Sequence, residues 1–173
     1  MSLLRKHTVV QQAYVVADMD AACRHWTALL GAGPFYVSRH HRSADVTYRG
    51  QPSDPDLSYG FGYAGTTQIQ LIEQHDNTPS CYRDMYASGC EGFHHVAILV
   101  PDFDAEKQRF EQRGFPVVTE LVSAARVAYM DTRSVLGCFV ELYEDNPGVR
   151  ESFRSWHAAH EAWDGQTDPL REL

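Results

Sequence analysis

The feature that most constrains this chain is a motif that occurs twice. QQAYVVADMDAA (Gln11 to Ala22) and HHVAILVPDFDAE (His94 to Glu106) each place an apolar, β-branched run ahead of V-x-D-[MF]-D-A. A duplicated unit constrains the architecture before any single residue does, because each copy must bury its apolar face against its sister. Asp18 and Asp102 are suited to cap a following helix, since a short carboxylate accepts the first orphan N–H groups and favours the positive helix end. The stretches behind them carry Ala22, Trp26, Leu29 and Leu30 in one copy and Phe103 and Phe110 in the other at helical spacing, and they run out at Gly31 and Gly114.

Short extended runs follow each helix: FYVSRHHR, DVTYRG, LSYGFGYA and TQIQLIEQ in the first half, then PVVTEL, ARVAYMDT and LGCFVELYE in the second. Each copy therefore reads as a βαβββ module, one over 8–75 and one over 93–145, joined by a turn-rich connection over 76–92. A last helix over 147–164 carries Val149, Phe153, Trp156 and Trp163 on one stripe, which suits packing on the sheet or on a sister subunit. The predicted fold class is α+β: one domain over 1–173, in which the two modules form a curved mixed sheet whose concave side is a cavity neither half could enclose alone.

Composition narrows the partners. Fifteen Lys and Arg against twenty-three Asp and Glu give a net charge of −8, a field that repels phosphate backbones, so nucleic-acid binding is not expected. No run approaches the roughly 18 apolar residues of a membrane span and no leader precedes the repeat, so no membrane role and a cytoplasmic location are expected. Cys23, Cys81, Cys90 and Cys138 form no C-x-x-C pair and read as reduced, ordinary thiols.

Superposing the copies on V-x-D aligns Gln11 with His95, each seven positions ahead of its capping aspartate (11 to 18, 95 to 102). Aligning the last strands, IQLIEQ with VELYED, pairs Gln70 with Glu141. Pseudo-twofold symmetry then gathers Gln11, Gln70, His95 and Glu141 on the inner face. Three oxygen donors and one imidazole suit one divalent ion that keeps open positions for substrate, and oxygen-rich ligation admits Mn, Co, Ni, Fe, Zn or Mg. Each residue taken singly has a plainer explanation as a polar strand residue bonded to its neighbours; it is their joint occurrence at matched sites that points to a metal.

These residues resemble the vicinal oxygen chelate superfamily, which holds glyoxalase I, methylmalonyl-CoA epimerase, extradiol dioxygenases and bleomycin-resistance proteins. The resemblance runs over about residues 8 to 145, most closely in HHVAILVPDFDA and CFVELYE. It implies metal ligation by the first-strand and last-strand residues of each module, which are Gln11, Gln70, His95 and Glu141 here. It further implies an isomerase, epimerase or lyase that stabilises an enolate or enediolate of a small carbonyl compound, with Glu141 as ligand and catalytic base.

Other residues are weighed against that set. His94 and Gln12 should point to the opposite face by strand alternation. His157 and His160, three apart on the last helix, lack a third ligand in sequence and read as surface. Tyr59, Phe61 and Tyr63 alternate on one strand and line a pocket for an apolar or aromatic substrate, if they are not simply sheet packing. Asp54 and Asp56 belong to the turn QPSDPD. The alternatives to a metal-dependent enzyme acting on a small molecule are a metal-free sequestering protein of the same fold and, third, an extradiol-type dioxygenase, for which a second histidine is missing. The Trp156 and Trp163 stripe is the basis for expecting a homodimer.

Overall fold

The computed structural model describes residues 7–173. β1 (Val9–Val15) leads into α1 (Met19–Leu30), then β2 (Phe35–His41), β3 (Ala44–Tyr48), β4 (Gln51–Pro52), β5 (Leu57–Ala64) and β6 (Thr67–Gln74). The second copy follows as β7 (Gly92–Val100), α2 (Phe103–Glu111), β8 (Val117–Val122), β9 (Arg126–Met130), α3 (Arg133–Leu136) and β10 (Phe139–Glu144), and the chain ends with α4 (Pro147–Ala162) and β11 (Leu170–Glu172). Both predicted caps form. Asp18 accepts from the Ala21 N–H at 2.8 Å and Asp102 from Ala105 at 3.1 Å. Gly31 closes α1 at φ 64°, a left-handed conformation that costs glycine little, whereas α2 closes at Glu111 and Gly114 ends the turn beyond it.

All strands join one mixed sheet in the order β11-β2-β5-β6-β1-β7-β10-β9-β8-β3-β4. The first copy holds more than a βαβββ module: DVTYRG forms the β3–β4 hairpin, which leaves its own module and pairs with β8 of the other. β2 and β3 lie near opposite ends of the strand order, yet only residues 42 and 43 separate them in sequence. So short a tether spans only about 10 Å, which forces the ends together and curls the sheet around an interior. His41 on β2 and Ser123 just beyond β8 bond across that seam at 3.1 Å.

The sheet has three apolar clusters. Ala13, Tyr59, Tyr129 and Phe139 belong to the inner one; Met19, Cys23, Phe35 and Leu71 lie under α1, and Phe103, Met130 and Leu142 under α2. Tyr59, Phe61 and Tyr63 face inward because Ser58, Gly60 and Gly62 face the α1 layer, where a Cβ on Gly62 would meet the Phe35 ring at 2.7 Å. The α4 stripe is spent on the chain's own sheet. Val149 is buried, Phe153 packs on Tyr143, Trp156 stacks on Phe61 at 5.0 Å, and the Trp163 indole N–H donates to the Thr167 carbonyl at 2.6 Å, so the stripe serves packing onto the sheet. His160 is a clamp rather than a surface group: its Nδ1–H donates to the Gly33 carbonyl and its Nε2 accepts the Gly65 N–H, while His157 packs edge-on against Tyr63. Cys23, Cys81 and Cys138 are buried and Cys90 exposed, and all four are free thiols; burial pushes Cys23 and Cys81 up to about 12. None of the described helices is long and apolar enough to cross a membrane.

Candidate metal centre and cavity

Strand register places the four symmetry-matched residues on two neighbouring rungs of the inner face. One rung reads Gln68, Gln11, Ala97, Glu141, Tyr129 across β6, β1, β7, β10 and β9. The other reads Phe61, Gln70, Ala13, His95, Phe139 across β5, β6, β1, β7 and β10. In each rung two donors flank an alanine, and Ala13 and Ala97 are themselves matched by the repeat. Donors on either side of a methyl group stand two strand spacings apart, about 9.6 Å between backbones, a gap that two long side chains close over the small one. All four donors are buried, Gln11 and His95 completely.

Their hydrogen bonding is incomplete in a particular way. The Gln11 amide N–H donates to Gln68 Oε1 at 2.6 Å, which orients the glutamine and leaves Gln11 Oε1 without a partner. Gln70 Oε1 is likewise buried and unpartnered. His95 Nε2 lies 3.2 Å from Glu141 Oε2. A buried carbonyl oxygen without a donor costs on the order of 1–3 kcal/mol, so two at one place need an explanation. A proton shared by His95 and Glu141 satisfies neither amide oxygen; a cation can satisfy all four groups. The donor set therefore fits a divalent metal with three oxygens and one nitrogen.

His94 is the residue whose place the sequence misjudged. Alternation sends it to the outer face, but the register between β1 and β7 slips between Ala13 and Tyr14, so His94 is the extra residue of a β-bulge. It is fully buried, stacks on Phe139 at 4.9 Å and sits 2.9 Å from His95, Nδ1 to Nδ1. Its Nε2 faces the Cys81 carbonyl at 3.0 Å, which only accepts, so that nitrogen carries the hydrogen. Burial first, and then the neighbouring His95, hold His94 well below the usual histidine range. Neutral His94 thus accepts the His95 Nδ1–H and leaves the His95 Nε2 lone pair facing Glu141. With both nitrogens engaged His94 is no ligand, and the inner set offers one imidazole rather than the two of an extradiol-type centre. Gln12 faces outward, accepting from the Tyr14 hydroxyl.

Gln70 and Glu141 open into a cavity of about 320 Å³, whose aromatic wall is Tyr59, Phe61, Tyr129, Tyr143 and Trp156. Tyr59 and Phe61 line it as the alternation suggests. Tyr63 lies further along β5, bonded to Gln68 and covered by His157, and is not among the described lining residues. Sequence reasoning missed Trp156, which α4 lowers over the cavity, and His41, which the seam places in its wall with Ser38 and Ser123 on its two ring nitrogens. Burial holds His41 below the usual histidine range. No Lys or Arg is among the described lining residues. Tyr59, Tyr82 and Tyr129 join their hydroxyls in a buried chain at 3.3 and 3.0 Å, and burial raises all three phenols. Asp54 and Asp56 lie in the expected turn, paired with Arg42 and His40 outside the cavity.

A curled sheet of repeated modules with matched donors on its inner face is the architecture of the vicinal oxygen chelate fold. Residues 10–130 match the model of the glyoxalase/bleomycin resistance protein/dioxygenase superfamily, and the chain belongs to that superfamily. Among solved structures it is similar to methylmalonyl-CoA epimerase from Mycobacterium tuberculosis (TM-score 0.57, 19% identity, covering 86% of this chain and 97% of that one). It is also similar to a hypothetical protein from Bacillus halodurans (TM-score 0.58, 18% identity, 82% and 96%). A third is a Streptomyces coelicolor methylmalonyl-CoA epimerase variant in complex with 2-nitronate-propionyl-CoA (TM-score 0.54, 17% identity, 81% and 99%). At these identities the likeness concerns the fold. No curated protein sequence matches.

Proposed function

We propose that this chain is a metal-dependent isomerase, epimerase or lyase that moves a proton at a carbon next to a carbonyl, on a small carbonyl-containing substrate of apolar or aromatic character. What supports the reading is that Gln11, Gln70, His95 and Glu141 stand on two adjacent inner rungs, with Gln11 Oε1 and Gln70 Oε1 buried and unpartnered, His95 Nε2 3.2 Å from Glu141 Oε2, and Gln70 and Glu141 lining an aromatic-walled cavity. These four residues would hold the ion. When bound, it supplies a positive centre that lowers the energy of charge developing on the substrate oxygen.

The chain's own residues supply the rest. Tyr59, Phe61 and Trp156 bind and orient a flat or apolar body, and Trp156 on α4 excludes water from it. Glu141 faces the cavity and can take a proton from a carbon held there. His41, neutral and oriented by Ser38 and Ser123, offers a second proton-transfer group in the wall. A coenzyme A thioester is disfavoured because the described lining holds no cationic side chain for its phosphates.

Metal analysis of protein purified without chelator tests the first half of this reading. Near-stoichiometric metal in the parent and its loss in both His95→Ala and Glu141→Ala support it; a folded parent that cannot be loaded overturns it in favour of a sequestering protein. Proton exchange into deuterated water across a panel of cyclic and aromatic ketones and 2-keto acids tests the second half. Oxygen uptake without exchange would replace proton transfer by oxygenation.

A further inference from the structure

A second group of metal-ligating side chains lies outside the cavity. His40, Asp56 and His75 each offer a ligand atom within 4.8 Å of the other two. They come from three segments: the end of β2, the turn before β5 and the residue after β6. His40 Nδ1 is 2.8 Å from Asp56 Oδ1, and the rings of His40 and His75 lie 4.4 Å apart. Two features of the backbone bring them together. The β2–β5 register slips between Ser38 and His41, and His40 within that bulge has φ 46°, which costs a residue with a Cβ on the order of 1 kcal/mol or more. The His75 N–H donates to the Asp56 carbonyl at 2.9 Å, tying the other two segments to each other.

Both nitrogens of His75 have a neighbour, so whichever of them binds a metal, the other is held. The Ser58 hydroxyl is 2.7 Å from Nε2 and Glu73 Oε1 is 3.4 Å from Nδ1. Ser58 is fully buried and its oxygen also accepts the His40 backbone N–H, so one hydroxyl fixes both histidines. This is the outer support that a metal-binding imidazole ordinarily receives. Two imidazoles and one carboxylate suit a borderline divalent ion such as zinc, whose ligand atoms sit about 3.4 Å apart in a tetrahedral site. Rotation of the exposed His40 side chain towards the held His75 ring can close the remaining distance.

We propose that His40, Asp56 and His75 form a second metal site, for zinc or a similar borderline ion, on the rim of the curled sheet and independent of the inner centre. Metal there fixes the bulge of β2 on which Ser38 and His41 stand, and so stabilises one wall of the cavity without touching what binds in it.

Equilibrium dialysis of the metal-stripped full chain against zinc, with metal counted per folded chain, tests the site. His40→Ala, Asp56→Asn and His75→Ala change partly exposed side chains, and circular dichroism checks their folding. The expected result is one equivalent of zinc fewer in each variant than in the parent, whatever number the parent binds, and a 10–100-fold weaker site in Ser58→Ala. Equal stoichiometry in the parent and all three variants overturns the proposal. The count is a difference, so it stands or falls separately from the inner centre: loss of metal from His95→Ala alone bears on that centre and leaves the rim site intact.

Discussion

His94 and His95 are neighbours in sequence and both lie inside the curled sheet, joined Nδ1 to Nδ1 at 2.9 Å. A regular strand would put them on opposite faces; the bulge at His94 lets one imidazole position the other. His94 is therefore a positioning residue, fixed by the Cys81 carbonyl and presenting the His95 Nε2 lone pair to the inner centre.

His94→Phe keeps the stacking on Phe139 and removes that support. The Cys81 carbonyl and the His95 Nδ1–H lose their partner, so stability falls by about 1–3 kcal/mol. Metal affinity at the inner centre falls on the order of 10–100-fold, as for other outer-support residues. Competition against a chelator measures the second effect, and an affinity unchanged in a folded variant would remove His94 from the site.

Particular residues show how much of this was legible in sequence and where legibility stopped. The pairing of Gln11 with His95 could be read from the repeat, because a capping aspartate seven residues downstream marks the register of each copy, and that of Gln70 with Glu141 from the aligned last strands IQLIEQ and VELYED. The sheet then brings the four residues onto adjacent rungs. His94 could not be placed, because a bulge is one extra residue in a pairing that exists only between β1 and β7. The places of His41 and Trp156 in the cavity wall were not legible for a related reason. Each enters the cavity through a long-range arrangement, the seam between β2 and β8 for one and the docking of α4 for the other; the helical stripe marks Trp156 as a packing residue and does not say which part of the sheet it covers. Gln68 was legible in principle. TQIQLIEQ puts Gln68 and Gln70 on one face, and a second buried amide beside a proposed ligand is the group that orients it.

Gly62→Ala tests the packing that turns the aromatic side of β5 inward. The added Cβ meets the Phe35 ring at 2.7 Å, and Phe35 is fully buried beneath α1 with nowhere to move. Overpacking of this kind costs about 1–3 kcal/mol. Thermal or denaturant unfolding should show that loss, while Gly65→Ala, whose added Cβ meets no atom within 4 Å, carries only the cost of its left-handed backbone. Equal losses at the two positions would show that packing on Phe35 is not what excludes a side chain.

His41 gives the chain a pH dependence with a defined sign. Burial lowers its affinity for a proton in the folded state, and its nitrogens are taken by Ser38 and Ser123. The unfolded chain takes up that proton near pH 6.5, the folded chain only at lower pH. Between those two values the unfolded state binds more protons, so stability falls as the pH drops and levels off once folded His41 is also protonated. Denaturation midpoints measured from pH 7.5 to 5 should decline less steeply in His41→Gln than in the parent. Parallel declines would mean that His41 titrates alike in both states.

Ala97 is the sharpest test of the inner centre, because the proposed cation occupies space that only a small side chain leaves. Ala97 stands between Gln11 and Glu141 on one rung, as Ala13 stands between Gln70 and His95 on the next. Valine at 97 keeps the β-propensity of the strand and deletes no donor. Its two added methyl groups fill the gap over which the flanking side chains converge, at an overpacking cost of about 1–3 kcal/mol. The folded Ala97→Val protein should then lose the inner metal, and its far-UV circular dichroism should match the parent's. Val96→Ala makes the control: residue 96 points to the opposite face, towards the layer under α2, and trimming it should lower stability and leave metal content unchanged. Full metal loading in Ala97→Val would mean that the ion sits elsewhere than between the two rungs.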